Sequence, residues 1–145
     1  MDQPLTEWYC DVCGEKITNV KDGYVTWKST AAHKAHDFII IHQGKCDDQR
    51  NPSSNALEDF VGVAGLTYLL SMLSLGTVMH TQGQAPHCRV ADTDEFVDFV
   101  RRVQTPYYEE ARRKFSSHRL LNHYAGANEV APYQEQDLKY IIQTF

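Results

Sequence analysis

The most informative decapeptide of this sequence is Trp8-Tyr9-Cys10-Asp11-Val12-Cys13-Gly14-Glu15-Lys16-Ile17. Two residues separate Cys10 from Cys13, a spacing at which both thiolates can bind one metal ion from a tight turn. Gly14 lets the backbone curl after the second thiolate, so that amide hydrogens point at the sulfurs. The decapeptide therefore predicts one half of a tetrahedral metal site.

The second half of the predicted site is the pair His42 and Cys46. A tetrahedral site needs two more soft or borderline donors, and this is the first suitable pair downstream. Gly44, between them, permits another tight turn. Residues 23–28 and 37–42 are rich in β-branched and aromatic side chains and predict two paired strands. Their hairpin return would carry the second pair back to the first.

The ligand types indicate zinc. Three thiolates and one imidazole close a tetrahedral shell and leave no position for an activated water, so we predict a structural Zn²⁺ without a catalytic role. The alternative is that the cysteines are merely buried thiols or a redox-active pair. A redox Cys-x-x-Cys is expected to open a helix, which Gly14 and the strand residues after it disfavour.

In form, residues 8–46 resemble the zinc knuckles of the zinc-ribbon and treble-clef groups, in which Cys-x-x-Cys-Gly precedes a β-hairpin and a second ligand pair. This resemblance covers less than a third of the chain and implies a small zinc-stabilised β-hairpin module. The second pair departs from the group pattern, because His42 and Cys46 form His-x-x-x-Cys in place of the commoner Cys-x-x-Cys. The assignment within these groups therefore stays open.

Composition fits one ordinary domain or two small modules. The chain has 145 residues, of which 42% are hydrophobic and 23% charged, and this is enough to bury a real core. The net charge of −5 argues against a protein that coats nucleic acid indiscriminately. The first residues include acids and no long apolar run, so we expect a cytoplasmic protein whose four cysteines are reduced.

Residues 60–79 carry no charge and are numerous enough to cross a bilayer. Against a membrane span, the run is flanked by Glu58 and Asp59 without any Lys or Arg nearby, and its middle holds several glycines and hydroxyl residues. The apolar positions change helical face at Gly65, which predicts a bent helix or two short helices buried in the core. We therefore expect no membrane partner.

The predicted fold class is α+β. Turn formers at 51–55 indicate a boundary between a zinc-binding β-rich module at 1–50 and a mainly α-helical domain at 54–145. A short β-hairpin is predicted near 77–90, because two β-rich segments flank a loop there. A helix followed by such a hairpin would be winged-helix-like.

Three further helices are predicted in the C-terminal half. The first begins at Asp92 or Thr93, and its apolar stripe leaves Arg101 and Arg102 on the outer side. The second has Thr105 as its N-cap, followed by proline at the first helical position. The third covers residues 135–145, where apolar residues repeat at helical spacing.

A basic segment at residues 101–123 contrasts with the acidic remainder, because it holds six basic and two acidic residues. Aromatic residues alternate with these cations, a combination that suits phosphate contact and base stacking. The candidate nucleic-acid-binding residues are Arg101, Arg102, Arg112, Arg113, Lys114 and Arg119. Alternatively, Glu109 and Glu110 pair with basic residues four positions later and only stabilise a helix.

Other histidines offer weaker candidates for a metal site. His33 and His36 could bind a second metal or replace one ligand, although a polar loop is the preferred interpretation. His80, His87 and Cys88 could converge if the hairpin forms, but no fourth ligand is evident. The sequence has no phosphate-binding loop, nucleophile elbow or metalloprotease motif.

Together these patterns predict a zinc-stabilised binding or regulatory protein with a macromolecular partner, and no small-molecule substrate is evident. The favoured hypothesis is a DNA-binding transcriptional regulator that uses residues 101–119. A second hypothesis is a protein–protein adaptor or inhibitor that binds through the surface near Tyr107, Tyr108 and Tyr124. A third is a metal-dependent enzyme built around the histidines.

Overall fold

The computed structural model describes residues 5–47, 53–81 and 88–145. These residues form a mixed structure with 46% helix and 19% strand, and the predicted α+β class is confirmed. Within the described ranges, two small antiparallel sheets come first along the chain and six α-helices follow.

The strands place both predicted ligand pairs. β1 (Trp8–Tyr9) and β2 (Lys16–Ile17) pair with each other and close the turn that carries the first two cysteines. β3 (Gly23–Ser29) pairs with β4 (Ala35–His42), which confirms the predicted strand pair. On its other edge β3 pairs with β5 (Ser53–Ala56), so the strand order is β4-β3-β5.

Six helices follow: α1 (Gly62–Leu73), α2 (Gly76–Thr81), α3 (Thr93–Gln104), α4 (Tyr108–Arg112), α5 (His118–His123) and α6 (Glu135–Thr144). Short 3-10 turns cover Val20–Asp22, Leu57–Phe60 and Ala131–Tyr133. Asp92 caps α3 as predicted, because its side chain accepts a hydrogen bond from the Glu95 amide. α4 begins later than predicted, after Tyr107, whose backbone is left-handed with φ 68°. In the described ranges, no helix combines the length and apolarity that crossing a bilayer requires.

The β-hairpin predicted near 77–90 is wrong. Residues 77–81 lie in α2, and residues 82–87 are outside the described part of the chain. The Ser74 hydroxyl accepts a hydrogen bond from the Gly76 amide, and this local turn starts a second helix where β-branched composition indicated a strand. Val90 instead forms an isolated parallel bridge with Ala35 at the start of β4.

Two hydrophobic clusters form the interior. Cluster 1 combines both sheets with α1 and α3, and its fully buried side chains include Trp8, Ile17, Ile40, Phe60, Phe99 and Val103. Cluster 2 belongs to α4, α5 and α6, and its buried members are Tyr108, Ala111, Leu120, Leu138 and Ile141. Cluster 1 takes residues from both sides of the turn formers at 51–55, because β5 joins the sheet of β3 and α3 packs in cluster 1.

α1 buries only one face. Gly65, Leu69 and Met72 are buried, and a Cβ on Gly65 would overlap the carbonyl group of Phe60. The uncharged run forms two short helices, as one of the two predicted alternatives has it, but α1 is unbroken at Gly65 and the break comes later, between Leu73 and Gly76. The close approach to Phe60 explains why a glycine stands at position 65. The solvent side of the helix carries exposed apolar side chains, including Val63 and Leu70.

Candidate metal centre

The four predicted ligands come together in one cluster. The ligand atoms of Cys10, Cys13, His42 and Cys46 all lie within 4.8 Å of one another. His42 Nδ1 lies 3.4 Å from Cys13 Sγ and 3.7 Å from Cys46 Sγ. Around a tetrahedral ion with ordinary bond lengths, a nitrogen and a sulfur ligand are about 3.6 Å apart. The predicted residues therefore form a cluster that could bind a metal ion.

The first two cysteines are positioned by the turn between β1 and β2. Gly14 adopts φ 77° and its amide donates to the Cys10 carbonyl at 2.9 Å. The amides of Val12 and Cys13 each donate to Cys10 Sγ at 3.4 Å. This is the geometry predicted from the sequence, in which the backbone curls so that amide hydrogens face a thiolate.

The second pair is positioned by the end of β4 and the turn that follows. Gly44 adopts φ 78°, and the Cys46 amide donates to the His42 carbonyl at 3.3 Å. On the far side of the imidazole ring, His42 Nε2 lies 3.2 Å from the Lys16 carbonyl oxygen, to which it can only donate. That bond fixes the tautomer in which Nδ1 carries a lone pair, and this lone pair faces the sulfurs, as in a metal-binding histidine.

Two thiols of the cluster have shifted pKa values of opposite sign. Burial alone would raise the pKa of Cys10, but backbone hydrogen bonds from Cys13, Val12 and His42 outweigh burial and lower it to about 6. Burial, with hydrogen bonds to Cys10 and Cys13, raises the pKa of Cys46 to about 11. The two thiols titrate as a coupled pair, in which one proton is lost more readily than the other, and a bound cation would favour the loss of both.

Asp11, between the first two cysteines, connects the cluster to the rest of the fold. Its amide donates to the Ile40 carbonyl at 2.8 Å, and its Oδ2 accepts from the Ile40 amide at 2.7 Å. The same Oδ2 accepts from Arg102 Nη1 at 2.7 Å. No sequence pattern indicates this role, because a single acidic residue in a turn is common. Its contacts join the first turn, β4 and α3.

The prediction that Arg102 lies on the outer side of α3 is wrong. Its side chain is only 3% exposed, and its Nε and Nη2 donate to the two carboxylate oxygens of Glu109, each at 2.8 Å. Burial lowers the pKa of a guanidinium, but the bonds to Glu109 and Asp11 outweigh burial and raise it. Arg102 can face inward because these acids neutralise it. It is therefore not accessible to DNA, and Glu109 pairs with it rather than with Arg113.

The other predicted nucleic-acid-binding residues stay near the surface, and most contact other side chains. Arg101 lies over the Tyr133 ring, Arg113 over the Tyr9 ring and Arg119 over the Phe145 ring, at 3.8, 4.0 and 5.1 Å from the ring centroids. Arg112 forms an ion pair with Asp98 at 3.5 Å, and Lys114 is half-buried. These residues are spread over α3, α4 and α5 and the turns beside them.

In the described ranges, the Cys₃His cluster is the one group of three or more His, Cys, Asp or Glu side chains placed to hold a metal. His36 Nδ1 instead lies 3.5 Å from the Asp37 carboxylate, and His33 is exposed in a left-handed turn. The alternative site predicted at His80, His87 and Cys88 lies outside the described residues, because neither histidine side chain is among the described ones.

Geometry therefore supports the metal centre, through the distances among its four ligands and the fixed tautomer of His42. The chain was also compared with models of protein families, with curated proteins and with solved structures, and none of them matches it.

Proposed function

We propose that this protein is a zinc-stabilised binding module that recognises another protein. Thiolate and imidazole ligands in this ratio suit zinc best. The observation that carries the proposal is the ligand set, in which four protein atoms lie within 4.8 Å of one another, the number that a tetrahedral shell needs. Such an ion has no open position at which to activate water, so it stabilises the fold and the function lies on the surface.

The surface that suits a protein partner is the exposed stripe of α1. Four of its apolar side chains share one side of the helix at a spacing of three or four residues, and their exposed fractions are 84, 40, 54 and 36%: Val63, Leu66, Leu70 and Leu73. Exposed apolar patches mark interaction sites on soluble domains. Residues 60–79 carry no charge. The complementary partner is therefore an apolar face, such as that of an amphipathic helix, and not a phosphate backbone.

Paired substitutions test this surface. Replacing Val63 and Leu70 with glutamine is expected to weaken partner binding at least about tenfold, because each buried aliphatic side chain contributes about 1.5–3 kcal/mol. The measurement is affinity capture with crosslinking, in which the partner's crosslinks should map to α1. The matched control replaces Leu121 and Val130, which are 53 and 52% exposed and lie elsewhere.

The control variant is expected to retain the partner and all variants to keep the melting temperature of the wild type, since the substituted side chains are exposed. A set of captured proteins that is the same for wild type and for the α1 variant would exclude this face as the binding surface.

Nucleic-acid binding is the second candidate, because Arg113 and Arg119 are exposed and lie over aromatic rings, a surface on which bases can stack. With a net charge of −5 and Arg102 buried, we expect a labelled DNA duplex to show no salt-dependent binding. The comparison variant replaces both exposed arginines with glutamine. Binding whose salt slope falls by about 2 in that variant would move the function to nucleic-acid recognition.

A further inference from the structure

We propose that Asp11, Arg102 and Glu109 are positioning residues of the metal centre, and that they couple metal binding to the docking of cluster 2 against the metal-binding turn. This inference rests on the proposed metal function. It adds that the metal also stabilises the docking of α4, a helix that supplies none of the four ligands.

The first contacts converge on one carboxylate oxygen. Asp11 Oδ2 accepts from the Ile40 amide and from Arg102 Nη1, both at 2.7 Å. Asp11 stands between the two cysteines of the first turn, and Ile40 stands two residues before His42 on β4. A displacement of this carboxylate therefore changes the spacing between the first ligand pair and the second. Replacing a group that orients metal ligands typically weakens metal binding about 10–100-fold.

The second contacts hold the backbone of β1, immediately before Cys10. The Tyr9 amide donates to Glu109 Oε1 at 3.0 Å, and the Tyr9 carbonyl accepts from Arg102 Nη2 at 3.2 Å. Trp8 Nε1 donates to the carbonyl of Arg102 at 3.1 Å. The two-residue strand β1 thus has β2 on one edge and a pair of buried side chains on the other. Those side chains take the place of a third strand.

The third contacts connect this pair to cluster 2. Glu109 is 2% exposed and lies in α4 between Tyr108 and Ala111, two buried members of that cluster. A buried carboxylate without its cation is strongly destabilising. α4 is therefore stable in this position only while Arg102 is held in place, and Arg102 is held by Asp11 and Tyr9.

Coupling between two events is reciprocal. If the metal fixes the turn on which α4 docks, docking must in turn strengthen metal binding. A substitution at Asp11 is expected to change both the metal affinity and the docking of α4, although this residue is neither a ligand nor part of cluster 2.

The test compares Asp11→Asn with Glu15→Gln. Both substitutions remove one negative charge from the same turn, but Asp11 bonds to Ile40 and Arg102, whereas the Glu15 side chain is 71% exposed and pairs only with Lys45 among the described contacts. Zinc affinity is measured by competition with a chromogenic chelator. We expect Asp11→Asn to bind zinc about 10–100-fold more weakly than wild type, and Glu15→Gln to stay within about threefold.

Hydrogen exchange supplies the second readout. Removing zinc from the wild type is expected to speed amide exchange in residues 108–141 as well as in residues 8–46, and the effect on 108–141 is expected to shrink in Asp11→Asn. Equal zinc affinity of the two variants, or exchange that changes only within residues 8–46, would overturn the coupling while leaving the metal centre intact. A wild-type chain that binds no zinc would overturn the metal proposal as well.

Discussion

Replacing Cys10 with serine is expected to release the proposed zinc ion and to unfold the part of the chain that its ligands hold. A structural zinc ion contributes about 10–16 kcal/mol of apparent binding free energy in small zinc modules, and this binding free energy is folding free energy. β1 and β2 have two residues each, too few to be stable as an isolated sheet. Elemental analysis is expected to find one zinc per wild-type chain and none in the variant.

The matched control is Cys88→Ser. Cys88 is the fourth cysteine of the chain and lies outside the cluster, with its Sγ 3.7 Å from the Val90 carbonyl. This variant should keep its zinc and nearly all of its thermal stability, whereas the melting temperature of Cys10→Ser should fall steeply. A purified wild-type protein without metal, or a serine variant that keeps it, would contradict the metal centre.

Replacing Arg102 with methionine is expected to lower the free energy of unfolding by about 3–5 kcal/mol. The substitution leaves the Glu109 carboxylate, 2% exposed, without its cation, and it deprives Asp11 of a hydrogen bond. The measurement is denaturant unfolding, in which the midpoint should fall at a nearly constant slope. Arg101→Met is the control, because the neighbouring arginine is half-buried over Tyr133 and should cost about 1 kcal/mol or less.

A double variant sharpens the result. Arg102→Met combined with Glu109→Leu removes both charges, and an apolar pair of similar volume is often no less stable than a buried ion pair. The double variant should therefore be more stable than Arg102→Met alone. Equal losses for Arg102→Met and Arg101→Met would show that the buried pair contributes little.

The cluster of candidate metal ligands could be predicted because its chemistry leaves a local signature. Cys10 and Cys13 share one tight turn, and His42 and Cys46 share another, so each pair shows in the spacing of a few residues. The start of α3 could be predicted for the same reason, since Asp92 caps the helix through an amide three residues away. Such signals do not depend on distant parts of the chain.

The role of Arg102 could not be predicted in this way. A prediction from helical periodicity puts apolar residues on the buried side of a helix and charged residues on the solvent side, so it exposes an arginine beside an apolar stripe. Arg102 lies three residues after Phe99, which is buried, and therefore at the edge of the apolar stripe of α3. This position was the one local indication that Arg102 could be buried. Its acid partners lie 91 residues earlier and 7 residues later, and no local pattern joins them.

The strand predicted at 77–81 failed for a different reason. β-branched residues favour strands by their side chains alone, but a strand also needs a neighbour that completes its backbone hydrogen bonds. A helix satisfies its backbone within the segment, and the turn at Ser74 and Gly76 starts one. The turn at Ser74 and Gly76 therefore indicates the secondary structure of residues 77–81 better than their β-branched composition does.

The contacts of Tyr9 have a consequence for synthesis of the protein. Its amide partner, Glu109, lies 100 residues later in the chain. At a translation rate of about 5–20 residues per second, the ribosome needs about 3–13 s to add the 63 residues from Cys46, the last residue of the cluster, to Glu109. The nascent chain can therefore present all four metal ligands well before the side chains that complete β1 have been made, and metal capture can precede this last step of maturation.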